Sequence, residues 1–212
     1  MITIAPSIEI INAPDYDSML KTVERAGRVC YKSEDKIGED TAESFIRGII
    51  KRGHESVIEH EKITVLVTCD RGVTHEVVRH RIASYSQEST RYCNYTNGKF
   101  SGQITFIDPC SGFSWDLNTE RGANLFKVWT KAMGGAEWSY RQMIRYGAKP
   151  EEARTVLPNS TKAELAMTMN LREWRHFIKL RTSPAAHPQM REVADMVANE
   201  FKSRYPAFFG DL

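Results

Sequence analysis

Two strand-like runs constrain this chain more than any other feature. Lys62 to Asp70 is β-branched and reads as a buried strand, while Lys162 to Met169 alternates polar and apolar residues as a half-buried strand does. The rest is mostly helical in pattern. Many helices with two or three strands far apart in sequence favour an α+β fold with an antiparallel sheet over a doubly wound one. The expectation is therefore a helix-rich single domain, residues 1–212.

The remaining elements follow from periodicity and punctuation. ITIAPSIEIINA reads as an extended segment that Pro6 confines to an edge or bulge. Asp15 or Asp17 caps a helix through Met19, Val23 and Ala26 that ends at Gly27 or later. Thr41 starts a second helix (Phe45, Ile46, Ile49, Ile50) stopped at Gly53. Arg71-Gly72 reads as a turn, followed by a helix with Val73, Val77 and Ile82 near one face. Residues 92–118 read as loop with a short strand near Gln103–Ile107. A long helical pattern covers 119–147, where Gly134-Gly135 offers a kink. Pro150 starts a short helix, and further helices cover 171–180 and roughly 188–204.

Several function classes lack their signals. There is no GxGxxG, no GxxxxGK[ST] and no HExxH. His75 and His80 stand at i and i+5, and His54 and His60 are six apart, so neither pair suits one metal and no metal site is expected. The uncharged run Ile63–Cys69 is too short to span a bilayer, and the opening residues lack a basic region before an apolar stretch, so no membrane or secretory segment is expected. Cys30, Cys69, Cys93 and Cys110 form no CxxC pair, which points to a reducing, cytoplasmic setting. Net charge is only +2, but residues 1–70 carry 9 Lys/Arg against 13 Asp/Glu and residues 141–181 carry 9 against 4. That basic C-terminal third suits a phosphate-bearing ligand.

The most unusual stretch runs from Arg79-His80-Arg81 through Ser84, Ser86, Gln87, Glu88, Ser89 and Thr90 to Arg91. Read as helical, Arg79, His80 and Arg81 lie about 100° apart and fan over half a cylinder. They either complement a helix C-terminus or form an anion site serving more than one group. Asn170, Arg172, Arg175, His176, Arg181 and His187 make a second cluster, in which Arg172, Arg175 and His176 share a helix face. Like charges on one face repel by roughly 0.2–0.5 kcal/mol per pair, and an anionic ligand would offset that.

Arg79-His80-Arg81, seven residues and then Ser89 resembles the RHRx7S signature of flavin-dependent thymidylate synthases. Four further collinear blocks are similar to that family: His54-Glu55-Ser56 with Glu59-His60, Ala153-Arg154 with Leu157-Pro158, Asn170-Leu171-Arg172, and Leu180-Arg181. The resemblance implies conversion of dUMP to dTMP, with methylenetetrahydrofolate as one-carbon donor and NADPH as hydride source through bound FAD. It implies a homotetramer with sites assembled between subunits, and small-molecule partners only, without nucleic acid.

By position, the resemblance places Ser56, Arg79, His80, Arg81, Gln87, Asn170, Leu171, Arg172 and His176 on FAD, with His54 and Glu59 nearby. It places Glu76, Val77, Val78, Arg79, Gln87, Glu88, Ser89, Thr90, Arg91, Arg154 and Arg181 on dUMP. Arg91 and Arg154 become phosphate clamps from different subunits. Arg181 becomes the catalytic arginine against the uracil, where a fixed guanidinium stabilises developing negative charge. Ser89 has no histidine or lysine within four residues and is expected to contact dUMP rather than attack it. Glu76 stands where some members carry Gln and could pair with Arg79; Gln87 stands where some carry Glu, and His176 where some carry Asn.

Three rivals remain. A synthase with a cysteine nucleophile would use Cys110. A nucleic-acid-binding module would use the basic third, against the modest net charge. A flavoprotein reductase would oxidise NADPH without methylating anything.

Overall fold

The chain opens with β1 (Ile2–Ile4) and β2 (Ser7–Asn12), then α1 (Tyr16–Tyr31) and α2 (Ala42–Lys51). The centre holds β3 (Lys62–Asp70), α3 (Arg71–Val77), β4 (Ser84–Gln87), β5 (Thr105–Ile107), α4 (Cys110–Phe113) and α5 (Glu120–Arg145). The last part holds α6 (Pro150–Ala153), β6 (Lys162–Asn170), α7 (Leu171–Arg181), α8 (Pro188–Arg204) and α9 (Pro206–Phe209). This computed structural model describes residues 1–212, the side chain of Lys99 excepted.

The two runs that stood out in the sequence pair with each other. β3 and β6 are antiparallel from Lys62↔Asn170 to Asp70↔Lys162, at the centre of a four-stranded sheet ordered β2-β3-β6-β4. Strand alternation sends Ile63, Val65, Val67 and Cys69, with Ala163, Leu165, Met167 and Met169, to one face. There they meet Met19, Val23, Ile46, Ile49, Trp174, Phe177, Val193, Val197 and Phe201 from α1, α2, α7 and α8. Each such large apolar side chain contributes about 1.5–3 kcal/mol by leaving water. The opposite face, with Thr64, Leu66, Ala166 and Thr168, is only half-buried, and the Thr64 and Thr168 hydroxyls hydrogen-bond across it at 2.9 Å. A second cluster of Tyr95, Ile104, Phe106, Met133, Tyr140 and Ala153 joins the sheet through a bridge between Phe106 and Thr161.

The α+β expectation is met, with four differences. The opening segment divides at Ala5-Pro6: β2 is an edge of the main sheet, while β1 pairs in parallel with β5. As expected, α1 ends beyond Gly27, at a left-handed cap at Lys32 (φ 47°), and Gly27 is where α1 presses on α2. A Cβ there would lie 2.6 Å from the Phe45 ring. Arg71-Gly72 is no turn but the start of α3, since Asp70 accepts the Val73 N–H at 2.8 Å and caps it. α3 stops at Val77 and never reaches Ile82, which is 68 % exposed. α5 is unbroken across Gly134-Gly135. Among the described residues no helix is long and apolar enough to cross a membrane.

Candidate active site

Each central strand runs directly into a helix, and the two helices bring the site together. Asp70 caps α3 at one end of the sheet, and Asn170 caps α7 at the other by accepting the Glu173 N–H at 2.8 Å. Because β3 and β6 are antiparallel, α3 and α7 start from opposite ends and run towards each other. The last residue of α7, Arg181, therefore reaches the last turn of α3 at Glu76.

Arg79-His80-Arg81 lies in the turn after α3, not on a helix. The fan over half a cylinder is replaced by an out-in-out arrangement: Arg79 and Arg81 are exposed while His80 is 4 % exposed. Tyr85 enforces the turn, its hydroxyl placed 2.7 Å from the His80 carbonyl and 2.9 Å from that of Val77. Burial pushes the Tyr85 phenol up to about 12, so it stays a donor. Among the described residues, the side chains of Arg79 and Arg81 have no hydrogen-bond or ion-pair partner.

Arg181 is the most constrained cation of the cluster. Its Nε donates to His80 Nε2 at 3.0 Å, Nη1 to Glu76 Oε2 at 3.0 Å, and Nη2 to the Glu76 carbonyl at 3.1 Å. Three of five N–H donors are thus committed, leaving one on each terminal nitrogen for a ligand. Glu76 pairs with Arg181 rather than Arg79, which explains a carboxylate at this position. His80 Nδ1 faces Glu173 Oε1 at 3.2 Å. Burial, opposed by Glu173 and reinforced by Arg181 and His176, lowers the His80 pKa, so the ring is neutral near pH 7. His80, Glu173 and His176 bring possible metal-ligand atoms within 4.8 Å of one another, but hydrogen bonds to Arg181 and Glu173 already engage both His80 nitrogens.

Beside this centre lies a cleft of about 510 Å³ bordered by Glu59, Ile82, Asn170, Arg172, His176 and Lys179. Arg172 is exposed and paired with Glu59 at 2.6 Å, and Ser56 is exposed on the same short turn as Glu59. His176 is exposed, its ring 5.6 Å from that of His80. One expected cofactor contact, Leu171, and one member of the expected basic face, Arg175, point elsewhere. The Leu171 side chain is wholly buried in the core and its N–H donates to Glu61. Arg175 does not share the ligand face with Arg172 and His176: it is 1 % exposed, forked against Asp211, and donates to Glu55 and the Phe208 carbonyl.

Of the expected dUMP residues, Glu76 to Arg79 and Arg181 lie at the first centre, while Gln87 to Arg91 and Arg154 form a second group at the far end of β4. Gln87 donates to the Thr74 hydroxyl at 3.0 Å, so its side chain turns back onto α3. Glu88 accepts from Tyr95 at 2.9 Å and Lys162 at 2.9 Å, which ties this loop to β6 and turns its carboxylate away from any anion. Val77 is buried and Val78 half-buried, so Val77 offers a ligand no side-chain surface. Ser89 accepts the Arg91 N–H at 3.2 Å. Arg91 pairs with Glu151 at 3.2 Å, and Arg154 donates to Thr90 at 3.5 Å. One chain thus brings Arg91 and Arg154 to adjacent residues. Among the described residues, no hydrogen bond or ion pair joins this pair to Arg79, Arg172 or Arg181. β4 spans roughly 13 Å between the groups at 3.3 Å per residue.

Glu173, Tyr85 and Lys162 escaped the sequence reading. Glu173 stands in the first turn of α7, ninety-three positions from His80, and nothing local links the two. Cys110 was a candidate nucleophile, but burial and then the Asp108 hydrogen bond push its thiol up to about 11. It is protonated at neutral pH. Cys110→Ala should leave turnover within about twofold of the parent, since uncharged thiol packing is all that is lost; steady-state assays check this.

A helix-covered antiparallel sheet with a locked guanidinium, the unpaired Arg79 and Arg81 on either side of His80, and a cleft bordered by Arg172 is the framework of a binder of anionic, nucleotide-sized ligands. Residues 14–207 match the family described as thymidylate synthase complementing protein, and the chain belongs to that family. The chain is 35 % identical over 192 residues to the flavin-dependent thymidylate synthase of Pyrococcus abyssi, covering 87 % of this chain and 75 % of the relative. It is 36 % identical over 203 residues to that of Mycobacterium sp. strain JLS, covering 90 % and 78 %. In fold it is similar to a UMP/dUMP methylase, PolB from Streptomyces cacaoi, solved with 5-Br dUMP: TM-score 0.80, 24 % identity, 99 % of this chain and 96 % of that one.

Proposed function

We propose that this protein is a flavin-dependent thymidylate synthase that methylates dUMP to dTMP, with FAD as cofactor, methylenetetrahydrofolate as one-carbon donor and NADPH as hydride source. The carrying observation is Arg181: a buried-side guanidinium locked by Glu76 and His80, with two donors to spare. Family membership supports the reaction class. Residues 1–212 act as one domain, and the four cysteines, all unpaired, suit a cytoplasmic setting.

The residues fit a flavin dinucleotide. Exposed Arg79, Arg81 and Arg172 offer forked donors to a pyrophosphate; His176 and Asn170 line the cleft with Arg172, and Ser56 sits on the turn between Glu55 and Glu59, which also line it. The bound flavin supplies hydride transfer. The protein's own part is positioning and electrostatics. Arg181 holds its free N–H groups where negative charge develops on the pyrimidine ring, so no reorganisation is needed at the moment of reaction. Arg91 and Arg154 clamp the 5′-phosphate, with Arg91 exchanging Glu151 for it; Ser89 and Thr90 supply hydroxyls. The separation of the two arginine groups within one chain supports a homotetramer whose sites combine segments of neighbouring subunits.

The decisive experiment is anaerobic. The bound flavin is reduced, dUMP and methylenetetrahydrofolate are added, and dTMP should appear as the flavin reoxidises. Oxidation of NADPH by an added electron acceptor, with no dTMP formed from dUMP and methylenetetrahydrofolate, would instead indicate a reductase. Among the described residues no base hydrogen-bonds to Ser89, so Ser89→Ala should retain turnover within roughly tenfold, the scale of one lost hydrogen bond of about 0.5–1.5 kcal/mol. Complete loss of turnover with intact dUMP binding would make Ser89 a nucleophile.

A further inference from the structure

We propose that Glu173 is a positioning residue for Arg181, acting through the tautomer of His80. This rests on the reading of Arg181 as the group that faces the pyrimidine. A neutral imidazole carries one N–H, and the partner of one ring nitrogen decides the state of the other. A guanidinium Nε always donates, so His80 Nε2, 3.0 Å from Arg181 Nε, must present a lone pair. The ring proton therefore resides on Nδ1, whose partner is Glu173 at 3.2 Å. Both side chains are largely shielded from water, which cannot substitute freely for either partner.

The chain of contacts closes on itself. Glu173 and Arg181 belong to α7, and His80 comes from the turn after α3 and bridges them. The Asn170 cap holds the Glu173 backbone, which fixes where the carboxylate can reach. The other groups facing His80 are His176 and Phe177 of α7, at 5.6 and 5.0 Å between ring centres, and Tyr85 of β4 on its carbonyl; Glu76 of α3 stands beyond Arg181. Among the described residues, only Glu173 offers Nδ1 an acceptor. Without it the ring can place its proton on Nε2, where a donor would face the Arg181 donor, and the guanidinium loses one of its three anchors.

Two substitutions separate this role from simple packing. Glu173→Gln keeps an oxygen for the Nδ1 proton but removes the charge. Glu173→Leu removes the acceptor. The flavin-loaded enzyme with Leu should lose about 10–100-fold in kcat, the usual effect of removing an orienting partner, with flavin content and melting temperature little changed. The Gln enzyme should stay within a few-fold of the parent at neutral pH. Protonating His80 displaces Arg181, so turnover falls on the acid side; removing the Glu173 charge makes His80 harder to protonate, and the Gln enzyme's acid limb should move to lower pH.

Histidine nitrogen NMR without substrates tests the tautomer directly: Nδ1–H on His80 in the parent and Gln proteins, Nε2–H in Leu. An unchanged tautomer or unchanged kcat in Leu overturns the proposal. If Leu fails to fold, an unmoved acid limb in Gln does so. A parent enzyme that makes no dTMP would instead sink the functional reading, while the NMR result still decides the role of Glu173.

Discussion

Arg181→Ala should lower dTMP formation by about 10²–10³-fold, the effect of removing one preorganised donor group from a site where charge develops. The expectation rests on how little freedom the side chain has. Glu76 holds both terminal nitrogens and His80 holds Nε, so the guanidinium is already placed before any ligand arrives. Arg181→Lys should fail almost as badly. An ammonium cannot serve three separated acceptors and still project two parallel donors. Loss of the side chain leaves the His80 acceptor unpaired in a buried position, at about 1–3 kcal/mol of stability, so folding should survive in both variants. Steady-state dTMP assays, with flavin content and circular dichroism as controls, decide this. Near-normal turnover in Arg181→Ala would remove the central group of the proposed mechanism.

What could be read from the residues alone follows their physics. β3 was legible from its β-branched run and β6 from its polar–apolar alternation; in the structure each sends one face to the core and leaves the other half-buried. α2 and α8 were legible from apolar spacing. β4 was invisible: Ser84 and Ser86 point outward, and Tyr85 and Gln87 make polar contacts inward, so no apolar period marks it. Three basic residues in a row carry no period either, and extending the α3 helix through Arg79-His80-Arg81 imposed a geometry that a tyrosine hydroxyl in fact sets otherwise. The β1–β5 pairing joins residues about a hundred positions apart, where no local signal exists.

Of the site, Arg181 and His80, which the resemblance assigns to dUMP and FAD, are in direct contact in the structure. Glu76 has Arg181 as its partner, where the sequence suggested Arg79. Glu173 was missed because its role depends on a turn ninety-three residues away. The Arg91–Arg154 pair was legible as cationic, but its separation from Arg181 was not, because that depends on β4 being a strand.

Arg175 shows how far burial can override a helical wheel, and it carries the largest stability effect. Residues 172, 175 and 176 do share a helical face, yet α7 is covered on that side by the segment around α9, which surrounds Arg175. The guanidinium forks onto Asp211 at 2.6 and 2.7 Å and donates to Glu55 at 3.2 Å and to the Phe208 carbonyl. It thereby ties α7 to the turn that carries Ser56 and to the residues that follow α9.

Arg175→Ala should destabilise the protein by about 3 kcal/mol, the lower part of the range for breaking a buried ion pair, because Asp211 is half-exposed and can rehydrate. For a chain of this length that corresponds to roughly 6–12 °C in Tm. The Arg175 hydrogen bond holds the Asp211 carboxyl below its ordinary value. The pair's contribution is therefore complete above that ordinary value and disappears as pH falls through the depressed one. The parent should lose stability over this acid range, whereas Arg175→Ala should lack that component. Thermal melts across pH would show both effects. An unchanged Tm, together with loss of flavin binding, would return Arg175 to the ligand face where the helical spacing alone had put it.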